Sequence, residues 1–137
     1  MSMQIIRGVP PIIDEIDAIF KVKGRPVVYA WGDILYNPED VPVPAWLMAH
    51  ECVHRERQGD RSDAAIRKWW DRYLYDREFR LAEELPAHRA ELGTFKNVVK
   101  DRNQRIVAAR FMANRLASAV YGNMITEAQA LRLLLNR

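Results

Sequence analysis

The segment from Pro44 to Gly59 constrains this fold most, because it combines a helix pattern with the motif H-E-x-x-H at His50 to His54. Proline is tolerated in a first helical turn, and glycine is typical of a helix end. The residues between Pro44 and His50 are apolar on several sides of the predicted helix, which is typical of a helix inside a protein. Other elements must therefore pack around this helix.

Histidines four residues apart lie one turn apart on the same helix face, so the imidazoles of His50 and His54 can reach one ion. Glu51 points about 100° around the helix from His50, where it can reach a metal-bound water more easily than the metal. Neutral imidazoles suit Zn²⁺, and a carboxylate beside the bound water suits a general base. We therefore predict Zn²⁺ on His50 and His54 with Glu51 as the base. The alternative is a surface helix with two histidines by coincidence, which fits the apolar flank less well.

A later helix is expected to supply a third ligand, because two histidines leave Zn²⁺ short of protein ligands. Asp76 is a candidate cap for a helix from Phe79 to about Val99. The position of His88 belongs to the apolar stripe of this helix. The other members of the stripe are Leu81, Leu85, Leu92, Phe95 and Val99.

Glu84 is the candidate third ligand. It lies about 60° from the middle of the apolar stripe on a helical wheel, whereas Glu83 falls on the solvent side. Glu91 lies two turns further along the same flank and is the alternative, because Pro86 can shift the geometry of the helix. An ordinary salt bridge of Glu84 at a helix interface is the competing interpretation.

His50-Glu51-x-x-His54, followed about thirty residues later by Glu84-x-x-Ala87-His88, resembles the gluzincin clan of zinc metallopeptidases. The resemblance covers roughly residues 27 to 92. It implies that His50, His54 and Glu84 are the zinc ligands and that Glu51 is the general base. It also implies that the strand 34–36 is an edge strand along which a peptide substrate lies.

One position departs from the pattern of the clan. An aspartate four residues after the ligand glutamate supports the metal site there, and His88 stands at that position here. Histidine can hydrogen-bond a metal ligand, or it can donate to a developing oxyanion during catalysis. The third interpretation is a core histidine on an apolar stripe. Tyr73 and other tyrosines are further candidates for oxyanion stabilisation.

The remaining patterns predict an α+β fold that is mostly helical and forms one domain over residues 1–137. Pro10 and Gly24 bracket a first helix, and the segments 27–31 and 34–36 predict two short strands in a small hairpin or sheet before the motif helix. With this helix at the centre, we expect four or five helices around it. An aromatic stripe is assigned to the core of the helix that follows. It consists of Ile66, Trp69, Trp70, Tyr73 and Leu74.

Composition excludes several classes of protein. The chain is 49% hydrophobic, which argues against disorder, and no stretch approaches the length that spans a membrane. The net charge of +3 is mild and the basic residues are interpreted as solvated helix faces, so we expect no nucleic-acid partner. Cys52 is the single cysteine, which excludes an intramolecular disulfide, and it is interpreted as a packing residue. We expect a cytoplasmic protein.

Sequence alone therefore predicts a zinc metallopeptidase that acts on a peptide or protein. The whole chain is also similar to small peptidase-like proteins encoded by tailed phages and prophages, on the basis of Trp69-Trp70-x-x-Tyr73 and the late segment Tyr121 to Ile125. That resemblance implies a phage origin, with a phage particle as a second location and phage structural proteins as possible partners. The alternative function is a structural phage-particle or assembly protein with a non-catalytic zinc site.

Overall fold

The computed structural model describes residues 3–135, and within them the chain forms six α-helices and a small three-stranded sheet. This confirms the predicted α+β, mostly helical class, with five helices besides the motif helix. Residues 1, 2, 136 and 137 of the predicted domain lie outside the described range. The elements in chain order are β1 (Gln4–Ile6), α1 (Ile13–Phe20), β2 (Tyr29–Trp31), β3 (Ile34–Tyr36), α2 (Ala45–Arg57), α3 (Asp63–Tyr75), α4 (Arg77–Val98), α5 (Arg102–Leu116), a 3₁₀ turn (Ala119–Tyr121) and α6 (Glu127–Leu135).

Side-chain caps start three helices, and the sequence predicts each of them: an N-cap at Ser62, an N-cap at Asp76, and a capping box formed by Thr126 and Gln129. Ser62 Oγ accepts a backbone N–H of α3 at 3.2 Å, and Asp76 Oδ1 accepts a backbone N–H of α4 at 3.0 Å. The predicted capping box of α6 is also present. Thr126 Oγ1 accepts from the Gln129 N–H at 3.1 Å, and Gln129 Oε1 accepts from the Thr126 N–H at 2.9 Å. Local side-chain chemistry therefore sets where these helices begin.

Helix α5 ends earlier than the sequence pattern predicts. The apolar periodicity of residues 101–121 predicts an amphipathic helix as far as Tyr121, but α5 stops at Leu116. Ser118 Oγ donates to the carbonyl of Arg115 at 2.6 Å, so this side chain replaces the backbone N–H that would bond to that carbonyl in a longer helix. The chain then continues as the 3₁₀ turn. This early end matters because the turn places Tyr121 beside the buried side of α4.

The strand order is β1-β3-β2, with β1 parallel and β2 antiparallel to β3. The hairpin of β2 and β3 was predicted, whereas β1 was not, because its three residues are mostly exposed and carry no alternating pattern. The pairing of β1 makes β3 the central strand. The expectation that residues 34–36 form an edge strand is therefore wrong. The edges of the sheet are β1 and β2, and β2 is the edge that packs against α2.

Two apolar clusters enclose the contact between α2 and α4. One combines α1, β2 and α3 and contains the predicted aromatic stripe, of which every member is buried. The other joins α4 to α5 and α6. The buried residues of α2 and α4 themselves are mostly polar, so the centre of the protein is a polar interface between apolar layers. They are His50, Glu51, His54, Arg55, Arg80, Glu83, Glu84, Ala87, His88, Glu91 and Leu92.

Glu83 lies inside this interface, and its predicted position on the solvent side is wrong. Only 3% of the residue is exposed. Trp69 Nε1 donates to its Oε1 at 2.7 Å and Arg57 Nε donates to its Oε2 at 2.8 Å. The helical wheel failed because Glu83 contacts both α3, through Trp69, and the end of α2, through Arg57.

None of the described helices combines the length and the apolar character needed to cross a bilayer.

Gln58 joins the end of α2 to the hairpin. Its amide is buried, with Oε1 accepting from the Gly32 N–H at 2.7 Å and Nε2 donating to the Ala30 carbonyl at 3.0 Å. Trp70 Nε1 donates to the same carbonyl at 3.1 Å. Gly32 turns the hairpin with φ of +58°, a conformation that suits glycine. The edge of β2 at Ala30 is therefore covered by side chains.

We predict that Gln58→Ala lowers the free energy of unfolding by about 2–4 kcal/mol, because it removes the acceptor of the buried Gly32 N–H and leaves a cavity. Gln104→Ala, at an exposed position of α5, is the matched control and is expected to change stability by less than about 0.5 kcal/mol. Urea denaturation monitored by circular dichroism measures both. Equal midpoints for Gln58→Ala and wild type would contradict the role assigned to this amide.

Candidate metal centre

The structure brings the three predicted metal ligands together at the centre of the α2–α4 interface. His50 and His54 project from one face of α2, and Glu84 of α4 lies against both imidazoles. Glu84 Oε1 is 3.2 Å from His50 Nε2, and Glu84 Oε2 is 3.1 Å from His54 Nε2. All three side chains are at most 5% exposed. Two imidazole nitrogens thus share one carboxylate in a site shielded from bulk water.

Tyr73 of α3 fixes one oxygen of that carboxylate. Its hydroxyl donates to Glu84 Oε2 at 2.5 Å. Burial, and then the negative charge of Glu84, raise the pKa of Tyr73 well above its usual value, so the phenol keeps its proton. Glu84 Oε1 is buried and has no hydrogen-bond partner among the described residues. It is therefore a carboxylate oxygen available to a ligand.

Glu91 supports His50 from the side away from Glu84. The Nδ1–H of His50 donates to Glu91 Oε1 at 2.8 Å, and Arg115 Nη2 pairs with the same oxygen. Burial would raise the pKa of Glu91, but the hydrogen bond from His50 and the charge of Arg115 outweigh it and lower the pKa to about 2. This contact fixes Nδ1 of His50 as a donor to Glu91 and orients the ring so that Nε2 faces Glu84. Glu91, the alternative third ligand, thus contacts the other nitrogen of His50.

His88 is completely buried beside Glu84. It does not line the cavity of about 180 Å³ that borders His50, His54 and Glu84. Its Nδ1–H donates to the backbone carbonyl of Glu84 at 2.8 Å and lies 3.4 Å from Glu84 Oε1. Burial, and then the charge of His50, lower the pKa of His88 to about 3, so the ring is neutral. Its Nε2 has no hydrogen-bond partner among the described residues. Of the two functional roles predicted for His88, this position favours support of a metal ligand.

Glu51 stands at the edge of the site. Its Oε2 is 3.6 Å from His50 Nε2, and the residue lines a cavity of about 180 Å³. Burial raises the pKa of Glu51, while His50 and His54 lower it to a smaller extent. The carboxyl group therefore takes up a proton more readily than an exposed glutamate does. The cavity wall also includes His50, His54, Glu84, Trp69, Tyr73 and Tyr121, together with Val27 and Val28 before β2 and Tyr29 and Ala30 in β2.

The electrostatics of the site favour a cation. Burial would lower the pKa of His50, but the charge of Glu51 and the contacts with Glu84 and Glu91 raise it to about 10. Three buried carboxylates thus surround one imidazole. Among the described residues, Arg115 is the arginine in direct contact with them, through Glu91.

Two groups of buried side chains bring possible ligand atoms within 4.8 Å of one another: His50 with Glu51 and His54, and His50 with Glu84 and His88. Cys52 belongs to neither group. It is partly buried against a further apolar cluster, which consists of Met3, Ala30 and Leu35. Imidazole nitrogens and carboxylate oxygens are common ligands of divalent metals. Glu84 Oε1 has no hydrogen-bond partner among the described residues, and three carboxylates lie around His50. The imidazoles and carboxylates of these groups therefore fit a divalent metal ion.

Sequence reasoning missed three supporting contacts in the site. It assigned Tyr73 to the core and named it only as an oxyanion candidate, and it gave no role to Arg115. It considered Glu91 as a ligand and not as the partner of His50. Each contact crosses between helices, so the spacing within one helix carries no signal for it.

Comparison of the chain with protein-family models, with curated proteins and with solved structures found no match. The chemistry of the site therefore follows from its own residues and distances.

We predict that Glu91→Gln weakens Zn²⁺ binding about 10–100-fold, because the variant loses the negative charge that orients and polarises His50. Glu83→Gln is the matched control: it is also a buried glutamate of α4, but it bonds to Arg57 and Trp69 and not to an imidazole. We expect its zinc affinity to stay near that of wild type. Competition titration with a chromogenic chelator measures both affinities, and equal losses would count against a specific role of Glu91.

Proposed function

We propose that this chain is a zinc-dependent metallopeptidase, with His50, His54 and Glu84 as the zinc ligands. The observation that carries the proposal is the position of Glu84 between two imidazole nitrogens, at 3.2 and 3.1 Å. Ligand atoms about 2.0–2.1 Å from a tetrahedral Zn²⁺ would be about 3.3 Å apart. Each imidazole nitrogen lies at about that distance from one of the two oxygens of Glu84. Two imidazoles and one carboxylate also suit zinc better than Mg²⁺ or Ca²⁺, which prefer oxygen ligands.

If His50, His54 and Glu84 held a zinc ion, one coordination position would remain for water, as in catalytic zinc sites. Bound zinc supplies Lewis-acid chemistry: it lowers the pKa of that water and polarises a carbonyl group. Glu51 lines the cavity at this point and accepts a proton from the attacking water. The water oxygen bonds to the peptide carbonyl carbon, and Glu51 returns the proton to the amine nitrogen as the C–N bond breaks. A glutamate whose pKa is raised by burial suits both steps.

Tyr121 is the side chain best placed to stabilise the oxyanion that forms on the peptide carbonyl. It lines the cavity, whereas His88 does not, and the hydroxyl of Tyr73 is held by Glu84. Burial, and then the charge of Glu84, raise the pKa of Tyr121 well above its usual value, so its phenol remains a hydrogen-bond donor. Tyr121 thus has the chemistry of an oxyanion ligand.

An extended peptide would lie beside residues 27 and 28. They line the cavity next to Glu51 and lead into β2, the edge strand against α2. Extended backbone beside a cavity can align a substrate through main-chain hydrogen bonds. The sequence predicted that the peptide lies along β3, but β3 is the central strand and both of its edges are already paired. Residues 27 and 28 take its place in this proposal.

A structural zinc site is the second candidate, and one observation favours it. The Nε2 of His88 is buried without a partner among the described residues, and His88 groups with His50 and Glu84. If His88 became a fourth ligand, the zinc site would be closed to water and would only hold α2 and α4 together. The two candidates differ in whether zinc binding needs His88.

We predict that wild-type protein binds close to one Zn²⁺ per chain and that Glu84→Ala binds far less. His88→Asn separates the two candidates, because asparagine can keep the hydrogen bond to the Glu84 carbonyl while it removes Nε2. The peptidase proposal requires that His88→Asn retains its zinc, and a closed structural site requires that it loses it. Mass spectrometry of metal content, with circular dichroism as a check of folding, gives the result.

We predict that Glu51→Gln retains zinc and loses peptidase activity by at least about 100-fold, because the amide cannot accept the proton of the attacking water. Glu56→Gln is the matched control, an acidic residue of the same helix whose side chain is 58% exposed, and we expect it to cleave like wild type. A quenched-fluorescence peptide pool reports the rates of all three proteins. A Glu51→Gln variant as fast as wild type would disprove the mechanism.

A further inference from the structure

Arg80 of α4 is an arginine buried where three segments meet, with 6% of the residue exposed. Its Nη1 donates to the carbonyls of Tyr73 at 2.8 Å and Leu74 at 3.2 Å, in the last turn of α3. Its Nε donates to the carbonyl of Tyr121 at 3.0 Å, at the end of the 3₁₀ turn. The guanidinium thus bonds to backbone carbonyls where a buried arginine ordinarily pairs with a carboxylate, and it joins α3 and the turn to α4.

Aromatic rings and a glycine surround this guanidinium. Its Cζ lies 4.9 Å from the ring centroid of Phe20 and 5.9 Å from that of Tyr73. Gly122 follows the 3₁₀ turn with φ of +86°, and a Cβ at that position would lie 3.0 Å from Arg80 Nη2. Glycine therefore suits this position for two reasons, its backbone conformation and the close approach of the arginine.

The two tyrosines that Arg80 bonds through their backbones are also the two that reach the metal centre with their side chains. Tyr73 donates its hydroxyl to Glu84 Oε2 at 2.5 Å. Tyr121 lines the cavity of about 180 Å³, and its ring packs edge to face on His88 with centroids 5.3 Å apart. One tyrosine comes from α3 and the other from the turn after α5, so no local pattern sets their separation. A single guanidinium bonded to both carbonyls fixes the two backbones relative to each other.

Arginine can make all of these bonds at once, and lysine cannot. The guanidinium is planar and carries five N–H donors in a rigid fork, so bonds to carbonyls on two sides also fix their relative orientation. A lysine ammonium keeps the positive charge but is a compact donor on a flexible stem. Arg80→Lys therefore removes the bridge between the two segments and retains the charge.

We propose that Arg80 is a positioning residue of the metal centre, which fixes Tyr73 as the donor to Glu84 and Tyr121 as the donor to the oxyanion. The part through Tyr73 rests on the metal site, and the part through Tyr121 rests on the proposed peptidase function. Arg80 does not line the cavity, so it acts through the two tyrosines.

Zinc affinity tests the part through Tyr73 without any need for catalysis. A double-mutant cycle compares wild type, Arg80→Lys, Tyr73→Phe and the double variant by competition titration with a chromogenic chelator. We expect Arg80→Lys to weaken Zn²⁺ binding at least about threefold, which is less than the loss of a direct partner of a ligand causes. In the Tyr73→Phe background we expect no further loss. Losses that multiply in the double variant would overturn this part, because an arginine that only stabilises the fold acts independently of one hydroxyl.

Cleavage tests the part through Tyr121, with the peptide that wild type cleaves fastest as the substrate. We expect Arg80→Lys to lower kcat about tenfold with KM nearly unchanged, and to cause no further loss in Tyr121→Phe. Losses that multiply, or a kcat equal to that of wild type, would count against this part. Arg89→Lys is the matched control, since Arg89 belongs to the same helix and donates to the carbonyl of Leu133. We expect this control to bind zinc and to cleave like wild type.

Circular dichroism verifies that each variant is folded. If Arg80→Lys does not fold, Gly122→Ala takes its place in both cycles, because the added Cβ displaces the guanidinium without removing it. A coupled zinc cycle without any cleavage by wild type would overturn the peptidase function together with the Tyr121 part, and the Tyr73 part would stand. Independent losses in both cycles with an active wild type would overturn the role of Arg80, and the peptidase function would stand.

Discussion

The contact between α2 and α4 is the constraint on which the rest of the structure depends, because it buries ionisable groups at the centre of the chain. Each carboxylate and imidazole loses its hydration there, and that loss is costly unless a partner replaces the water. Two apolar clusters, one on the side of the sheet and α3 and one on the side of α5 and α6, enclose this polar layer. The fold therefore holds together a set of groups that would otherwise favour solvent.

A chain of contacts across four helices supplies the partners. Arg115 of α5 pairs with Glu91, Glu91 accepts from His50, and Tyr73 of α3 donates to Glu84. Glu84 in turn lies between His50 and His54. His50 and Glu84 each have one atom fixed by a neighbour, and their other polar atoms, His50 Nε2 and Glu84 Oε1, lie 3.2 Å apart. Preorganisation of this kind is what a metal ligand set requires, and outer contacts tune it.

Much of the fold could be predicted from local patterns. Caps at Ser62 and Asp76 and the capping box at Thr126 act within one helical turn, so the sequence contains all the information they need. The hairpin was equally local, since Gly32 sets its turn. The pairing of β1 with β3 joins segments about thirty residues apart. A strand of three residues has too short a pattern for this pairing to be predicted from the sequence. For that reason the central position of β3 could not be predicted.

The sequence by itself determined that His50 and His54 share one helix face with Glu51 beside them, because helical geometry fixes the positions of residues one to four apart. It also preferred Glu84 to Glu83 from the wheel of α4 and kept Glu91, on the same flank as Glu84, as the alternative, although the same wheel misplaced Glu83. Only the tertiary structure decided which carboxylate faces which nitrogen of His50, and that Tyr73 and Arg115 belong to the network. The reason is physical: α2, α3 and α5 pack on different sides of α4, and no pattern within one helix specifies the angle at which another helix crosses it.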